Sequence, residues 1–306
     1  MNNREHLLVR MSRDLGLLPN NLQRVIRTAP LRYKQFFIKK KNGDLRQLAQ
    51  PAREVKAIQR WLTNELRPSL PVHGAATAYE PGASILNNAN LHAKSSYLLK
   101  LDFKDFFPSI SAKDIESHIR AFASERYQDD EIALIARACT WAKDRQPPLK
   151  LCIGAPSSPF FANTLLYEFD NTLFEKAKSE GISYSRYADD ISLSSMKKDS
   201  LQHYTGFVVS LLESLSYPRL RLNEAKTFHG SKVGRRTVTG LILTPTGGVS
   251  VGRDRKRLVR SMYHRWLRGL LQPEQVKAME GLIAFIDNVE PGFAEKLRNR
   301  SSSESR

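Results

Sequence analysis

The amino-acid sequence predicts an α+β fold, and three observations carry the prediction. Segments near both ends repeat apolar residues at spacings of three and four, as amphipathic helices do. Two short runs, Ile182–Arg186 and Ile191–Ser195, alternate at period 2 around Tyr187-Ala188-Asp189-Asp190, which reads as a β-hairpin with an acidic turn. A third run, Tyr97-Leu98-Leu99-Lys100-Leu101, reads as a hydrophobic strand ending in Asp102.

In chain order, residues 4–29 read as helical. Leu7, Leu8, Met11, Leu15 and Leu18 follow a 3/4 repeat that Pro19-Asn20-Asn21 interrupts before Leu22–Ala29. Residues 33–50 read as two strands joined by a basic Asn42-Gly43-Asp44 turn, with Pro51 closing the unit. Residues 53–67 form an amphipathic helix with Val55, Ile58, Trp61, Leu62 and Leu66 on one side. Loop character over 72–96 encloses a short helix for which Ser84 is the N-cap. After Asp102, the sequence Phe106-Phe107-Pro108 argues against an immediate helix.

Residues 111–143 read as helices capped by Ser111, Leu149–Ile153 as a short strand, Gly154–Pro159 as a small-residue loop, and Phe160–Lys178 as one helix. The small residues of that loop would let a flat ligand approach the backbone. Beyond the hairpin, 200–216 is helical, Leu220–Leu222 a strand, and 228–251 a set of hairpins with one strand over Val238–Leu243. Gly252 marks a boundary. A basic amphipathic helix from Arg253, a second over Pro273–Asp287 and a third over Pro291–Asn299 make a three-helix unit, and residues 301–306 read as a disordered tail.

With 48 Lys+Arg against 31 Asp+Glu the formal charge is +17, which implies a polyanionic partner, most often nucleic acid. The charge is clustered: residues 31–60 carry nine basic and two acidic side chains, and 253–268 seven and one. Within the first cluster Arg46 stands out, on a strand rather than in the turn, where a long basic side chain needs a partner. The two cysteines, Cys139 and Cys152, form no CxxC pair and read as buried thiols in a reducing compartment. Without HExxH or a CxxC pair, a metal should be a hard cation on carboxylates, such as Mg²⁺. Charges break up the short apolar run at the start, and no run of ~18 apolar residues follows. The expectation is a cytoplasmic protein with no membrane partner.

Three acids then carry the chemistry. Asp102 ends a buried strand, where a carboxylate is costly unless paired or metal-bound; a helix N-cap is the other reading. Asp189 and Asp190 share a turn, where Asp is also ordinary. Two strands of one sheet could bring all three together, the arrangement that binds two Mg²⁺ ions for phosphoryl transfer.

At these residues the sequence resembles the reverse transcriptases, and specifically the bacterial retron enzymes, from about residue 30 to 300. Leu101-Asp102 through Phe107-Pro108-Ser109-Ile110 matches their first palm motif, Gly154–Pro159 with Ala162-Asn163 the second, and Tyr187-Ala188-Asp189-Asp190 the catalytic turn. Asn88-Ala89-Asn90-Leu91-His92 fits the retron NAxxH pattern and Val238-Thr239-Gly240 fits VTG.

The resemblance implies a right-handed polymerase: N-terminal helices and fingers over 1–96, a ferredoxin-like palm over 97–251 with fingers elements at about 111–150, and a helical thumb over 252–300. It assigns Asp102, Asp189 and Asp190 to Mg²⁺, Lys226 to protonating pyrophosphate, Arg46 to the incoming triphosphate and Phe107 to a gate against the 2′-OH. It places Asp105, Ile153 and Gly154 beside the dNTP. Ile153 departs from the Gln that many reverse transcriptases carry there.

Tyr187 and Ala188 would face the primer terminus. Asn88, His92, Val238, Thr239 and Gly240 would recognise RNA, with a structural role equally open for them. Arg253, Arg255, Lys256 and Arg260 would track the hybrid. Implied partners are dNTPs, a cognate structured non-coding RNA and its branched msDNA product, a separate effector in phage defence, and host ribonuclease H for template trimming. On this resemblance no fused ribonuclease H, endonuclease or maturase domain is expected. The alternatives are a group II intron or diversity-generating reverse transcriptase, which NAxxH and VTG disfavour, and a catalytically silent RNA-binding scaffold, which the three aspartates disfavour.

Overall fold

The computed structural model describes residues 5–39 and 43–304, so most of the basic turn expected around Asn42 lies outside the described residues. Helices α1 (Leu7–Leu15) and α2 (Pro19–Thr28) open the chain. Gly16 ends α1 in the left-handed conformation. Pro19 starts α2 rather than breaking a helix, because the first position of a helix needs no N–H. Strands β1 (Tyr33–Lys39) and β2 (Leu45–Pro51) pair antiparallel as an isolated, largely exposed ribbon, followed by α3 (Arg53–Leu66). Ser84 caps α4 (Ile85–Ala93) by accepting from the Asn87 N–H at 2.9 Å.

Next come β3 (Tyr97–Asp102) and, against expectation, a one-turn helix α5 (Phe106–Ser109). Pro108 falls in its first turn, where its missing N–H has no intrahelical partner to lose. Helices α6 (Ala112–Ala123), with a capping box at Ser111 and Asp114, and α7 (Asp129–Cys139) follow. The expected strand over Leu149–Ile153 is only a pair of isolated bridges from Lys150 to Ser111 and Trp141. The expected single helix from Phe160 is two, α8 (Ser158–Leu165) and α9 (Tyr167–Ser179), broken at Leu166.

The catalytic-motif hairpin is β4 (Ser183–Tyr187) and β5 (Asp190–Ser195), then α10 (Tyr204–Ser214). Leu222 makes an isolated bridge to Phe103 rather than joining a strand. Strand β6 (Phe228–Ser231) completes a four-stranded antiparallel sheet in the order β4-β5-β3-β6. A second sheet holds β7 (Arg236–Val238), β8 (Leu241–Leu243) and β9 (Val249–Ser250). The single strand expected over Val238–Leu243 is therefore split: Thr239 (φ +48°) and Gly240 (φ +79°) form the turn between β7 and β8. Helices α11 (Arg253–Leu267), α12 (Pro273–Val289) and α13 (Phe293–Glu304) close the chain. Helix α13 takes in much of the stretch expected to be a disordered tail, while 305–306 lie outside the described residues.

Among the described residues two large apolar cores organise these elements, beside a small cluster of Ala49, Trp141, Cys152 and Ala155. The larger joins Leu7, Met11, Leu22, Ile58 and Leu62 of the N-terminal helices to Leu99, Leu101, Phe161, Phe169, Ile191 and Leu193 around the main sheet. The second joins Ala89 and Ala93 of α4 and Leu98 of β3 to Val238, Leu241 and Leu243, and to Val259, Ile286 and Phe293 of the last three helices. The boundary expected at Gly252 thus lies inside this second core, which begins before it. The sheet alternation separates the cores: Leu99 and Leu101 face one, Leu98 the other. Cys139 and Cys152 are free and buried as expected, and burial pushes both thiols up to about 12.

Candidate active site

Strand register brings the predicted acids together. Asp102, the last residue of β3, stands directly opposite Asp190, the first of β5. Asp189 sits in the turn before it, and its carbonyl accepts from the Phe103 N–H at 3.1 Å, which docks the turn on the end of β3. Burial, and then the Asp102 charge, raises the Asp189 pKa. Burial pushes Asp190 up to about 6, with Asp189 and Asp102 adding to the rise and Lys100 opposing it. Lys226 Nζ lies 2.8 and 2.9 Å from the two Asp102 oxygens. Burial lowers the Lys226 pKa, but the carboxylates around it, Asp102 first, raise it on balance and keep it charged.

Among the described residues no three His, Cys, Asp or Glu side chains are already closed into a metal cage, and Lys226 takes both Asp102 oxygens. The donor set nevertheless fits a hard divalent cation: the donors are carboxylate oxygens, and the burial and mutual repulsion that raise Asp189 and Asp190 are what such a cation offsets.

The hairpin turn is held from below by side chains that the sequence did not mark. Ala188 adopts φ +57°, a costly conformation for a residue with a Cβ. Its carbonyl accepts from Arg186 Nη1 at 3.0 Å. The Arg186 side chain is fully buried against Asp170 of α9, itself fully buried, with Nε–Oδ1 2.9 Å and Nη2–Oδ2 2.6 Å. Burial alone would discharge Arg186, but Asp170 outweighs it and raises the pKa. Tyr184 donates to Asp170 at 2.5 Å, and Arg186 Nη1 also reaches Asn163 Oδ1 of α8 at 3.3 Å. One signal was available: Arg186 has the same strand parity as Ile182 and Tyr184, which face the core, so it needed a buried acid.

Beside the turn, Gln50, Lys56, Arg60, Tyr79, Phe107, Ile153, Gly154 and Pro156 line a cleft of about 430 Å³. A larger cavity of about 580 Å³, lined by α1, α2 and α7, shares no residue with it or with the acids. Phe107 is backed by a row of packed rings: Phe106 tilted against it at 5.3 Å, Phe103 stacked on Phe106 at 5.3 Å and Phe169 edge-on to Phe103 at 5.7 Å. Gly154 has φ +118°, and a Cβ there would lie 2.9 Å from the Ala49 carbonyl oxygen. Its small size therefore admits β2 rather than a flat ligand, and the Ala49 N–H donates to the Ile153 carbonyl at 2.9 Å. Arg46 and Asp105 are exposed and do not line the cleft. Arg46 is within electrostatic reach of the acids nonetheless: its charge lowers the Asp189 pKa, against the larger burial and Asp102 effects.

Comparison with known proteins follows this geometry. A family profile described as "Reverse transcriptase (RNA-dependent DNA polymerase)" matches residues 38–244. The Retron Ec83 reverse transcriptase of Escherichia coli is 38% identical over 272 residues, 88% of this chain and 86% of that protein. The chain belongs to the retron reverse transcriptases. The Retron Ec86 reverse transcriptase of Escherichia coli is 30% identical over 289 residues, 94% of this chain and 86% of that protein. Among solved structures, a Candida albicans telomerase with a fragment of telomeric RNA aligns with TM-score 0.51 at 13% identity, over 87% of this chain and 56% of that one. A truncated Candida tropicalis telomerase aligns with TM-score 0.50 at 15% identity, over 72% and 55%. The chain thus spans just over half the length of these telomerases, and the likeness is one of fold. As a retron reverse transcriptase the chain is an RNA-directed DNA polymerase, with a nucleic-acid template and a divalent-metal requirement. No helix among the described residues is long and apolar enough to cross a membrane.

The two retron signatures are largely buried: Asn88, Ala89, His92 and Val238 lie inside the fold, while Asn90, Leu91 and Gly240 are exposed. His92 is fully buried, with Nδ1 2.8 Å from Ser194 Oγ and Nε2 2.8 Å from Ser185 Oγ. Burial lowers its pKa to about 4, so the ring is neutral. Asn88 is buried too, its Oδ1 accepting from Ser185 at 2.6 Å and Thr77 at 2.9 Å. Val238 is buried, and Thr239 donates to the Ile85 carbonyl at 2.9 Å. The RNA-contact expectation for Asn88, His92 and Val238 is therefore corrected: their side chains are consumed in joining α4 to the hairpin on one side and the second sheet on the other. Gly240 is exposed, and Tyr187 half-buried at the hairpin end.

The thumb cations divide similarly. Lys256 pairs with Glu290 at 2.8 Å, Arg255 stacks on Phe285 at 5.6 Å and Arg260 on Phe293 at 5.9 Å. Arg253 and Arg260 are exposed, as are Arg257, Arg265 and Arg268, while Arg255 and Lys256 are half-buried, so the outward basic stripe overlaps the expected set only in part.

Proposed function

We propose that this chain copies a cognate structured non-coding RNA from the 2′-OH of a guanosine within it, giving branched RNA–DNA, msDNA. The observation that carries the catalytic part is the register that sets Asp102 opposite Asp190, with Asp189 in the adjoining turn and Lys226 on Asp102. The retron part is supported by the 38% identity to a retron reverse transcriptase over 88% of the chain.

In this reading Asp102, Asp189 and Asp190 hold two Mg²⁺ ions, which when bound acidify the attacking hydroxyl and screen the triphosphate. Lys226 carries the proton that neutralises the leaving pyrophosphate. Arg46 reaches the triphosphate from the fingers ribbon. Phe107, held by the rings packed behind it, closes the space that a 2′-OH would need, while Asp105, Ile153 and Gly154 border the nucleotide. Tyr187 and Ala188 face the primer terminus. Fingers, palm and thumb follow the divisions at about 96 and 252, and exposed Arg253 and its neighbours contact the hybrid backbone, which makes binding salt-sensitive. A separate effector protein, antiphage defence, trimming by host ribonuclease H and a cytoplasmic location complete the reading.

The test is copurification of nucleic acid from cells carrying the native locus. A debranching-sensitive RNA–DNA species is expected; unbranched cDNA alone from an active enzyme would overturn the retron reading. Asp189→Ala with Asp190→Ala should abolish dNTP incorporation and leave RNA binding. Persistent synthesis in that double variant would remove these residues from catalysis.

A further inference from the structure

Tyr79 is 48% exposed and adopts φ +66°, a conformation that a bulky side chain avoids. Such strain persists only where the surroundings over-determine it, and here they do. Asn163 Nδ2 donates to the Ala78 carbonyl at 2.8 Å and to Glu80 Oε1 at 3.1 Å. Glu80 in turn pairs with Arg67 at 2.5 Å. Thr77 donates through N and Oγ1 to the Arg186 carbonyl, at 2.8 and 3.1 Å. The residues flanking Tyr79 are thus tied to the network that sets the catalytic turn, yet the ring itself is left half in solvent.

That ring lines the cleft of about 430 Å³ with Phe107, Gly154 and Pro156, while Lys56 and Arg60 line it from α3. Lys56 and Arg60 are one helical turn apart, on one face, and among the described residues neither side chain has a hydrogen bond or ion pair. A nucleoside triphosphate concentrates its charge at one end, the end that the proposed function gives to Arg46 and the acids. Two cations on successive turns beside an exposed ring suit a single strand, with phosphates in sequence and an unstacked base.

We propose that Tyr79 is the stacking platform for the template RNA base at the first unpaired position, with Lys56 and Arg60 holding the adjoining phosphates. The proposal rests on templated synthesis at Asp102, Asp189 and Asp190. It adds what holds the template strand ahead of that site.

The test uses the full chain and a primer annealed to an RNA template that carries 2-aminopurine at the first unpaired position. Binding is measured without dNTP, and steady-state kinetics with it. The wild type and Tyr79→Phe should quench the probe on binding. Tyr79→Ala should lose the quench and bind template about 5- to 150-fold more weakly, corresponding to about 1–3 kcal/mol, while KM for dNTP moves less. Tyr79→Gly relieves the positive φ, so its thermal midpoint should equal or exceed the wild-type value while template affinity still falls. A merely structural tyrosine would not give that combination. Lys56→Gln with Arg60→Gln should weaken binding of templates with an overhang and reduce its salt dependence.

If Tyr79→Ala raised KM for dNTP and left template binding intact, the ring would stack on the incoming base and the proposal would be wrong. An unchanged quench in Tyr79→Ala would also overturn it. Asp189→Asn should abolish incorporation and keep the quench, so failure of the catalytic assignment is read separately.

Discussion

The Arg186–Asp170 pair sits beneath the catalytic turn, and removing it separates stability from catalysis. Both side chains are fully buried, and Arg186 makes charge-assisted bonds to Asp170 as well as bonds to Asn163 and the Ala188 carbonyl. Arg186→Met leaves Asp170 as a buried charge with only Tyr184 donating to it, and truncating one partner of a buried pair costs about 3–5 kcal/mol. Against a typical stability of about 5–15 kcal/mol, that is a large fraction. Arg186→Met with Asp170→Leu removes both charges, and such replacements of buried pairs are often neutral or stabilising. Its thermal midpoint should therefore recover most of the loss.

Activity should not recover. The hydrogen bond to the Ala188 carbonyl is missing in both variants, so the unfavourable φ there loses its side-chain support, and the Phe103 N–H on the Asp189 carbonyl is left to dock the turn. A rate loss of at least about tenfold corresponds to about 1.4 kcal/mol of misplacement. The assays are urea or thermal unfolding and primer extension on saturating template. A double variant that extended primers at the wild-type rate would show that the network stabilises without positioning, and refute the reasoning. A single variant losing under about 1 kcal/mol would refute the buried ion pair itself.

Other consequences follow from the same coordinates. Asp190 is pushed up to about 6, so its ionised form destabilises the metal-free fold once pH rises from about 4 through 6; Asp190→Asn should raise the metal-free thermal midpoint at pH 7.5 while abolishing activity. For the wild type, protonation competes with the metal below that value, so the metal concentration giving half-maximal activity should rise as pH falls through about 6. His92 is held neutral with its pKa near 4, below the unfolded value of about 6.5, so the fold loses stability as pH falls between those values; His92→Asn should flatten that dependence, read from unfolding curves at several pH values. The folded His92→Asn protein should also bind cognate RNA as the wild type does, and a selective loss would restore a recognition role. Phe107→Ala should raise ribonucleotide incorporation, measured as the dNTP/rNTP ratio of kcat/KM; an unchanged ratio would argue against the gate.

The carboxylates were legible because each occupies a position with a local signature: a strand end for Asp102 and a hairpin turn for Asp189 and Asp190. What the local pattern hid was how the hairpin is held. Ser183, Ser185, Ser192 and Ser194 are the small polar positions of the period-2 alternation; the register pairs Ser183 with Ser194 and Ser185 with Ser192, and α4 lies over them through His92 and Asn88. Only tertiary placement of α4 reveals that the polar face is buried and satisfied. Likewise, Asp170 lies on α9 with nothing in its sequence neighbourhood to mark it as the partner of Arg186.

These two hidden contacts have a joint effect. A hairpin with one apolar face keeps its register because a one-residue slip exposes that face. Here both faces of β4 end in specific polar partners: Tyr184 and Arg186 on Asp170, Ser185 on His92 and Asn88. A slip by one residue would aim Arg186 at a neutral histidine and a serine at a buried carboxylate, stranding charge on both sides. The same register sets Asp190 opposite Asp102. Alignment of the three acids is therefore specified by buried polar groups outside the acid cluster itself.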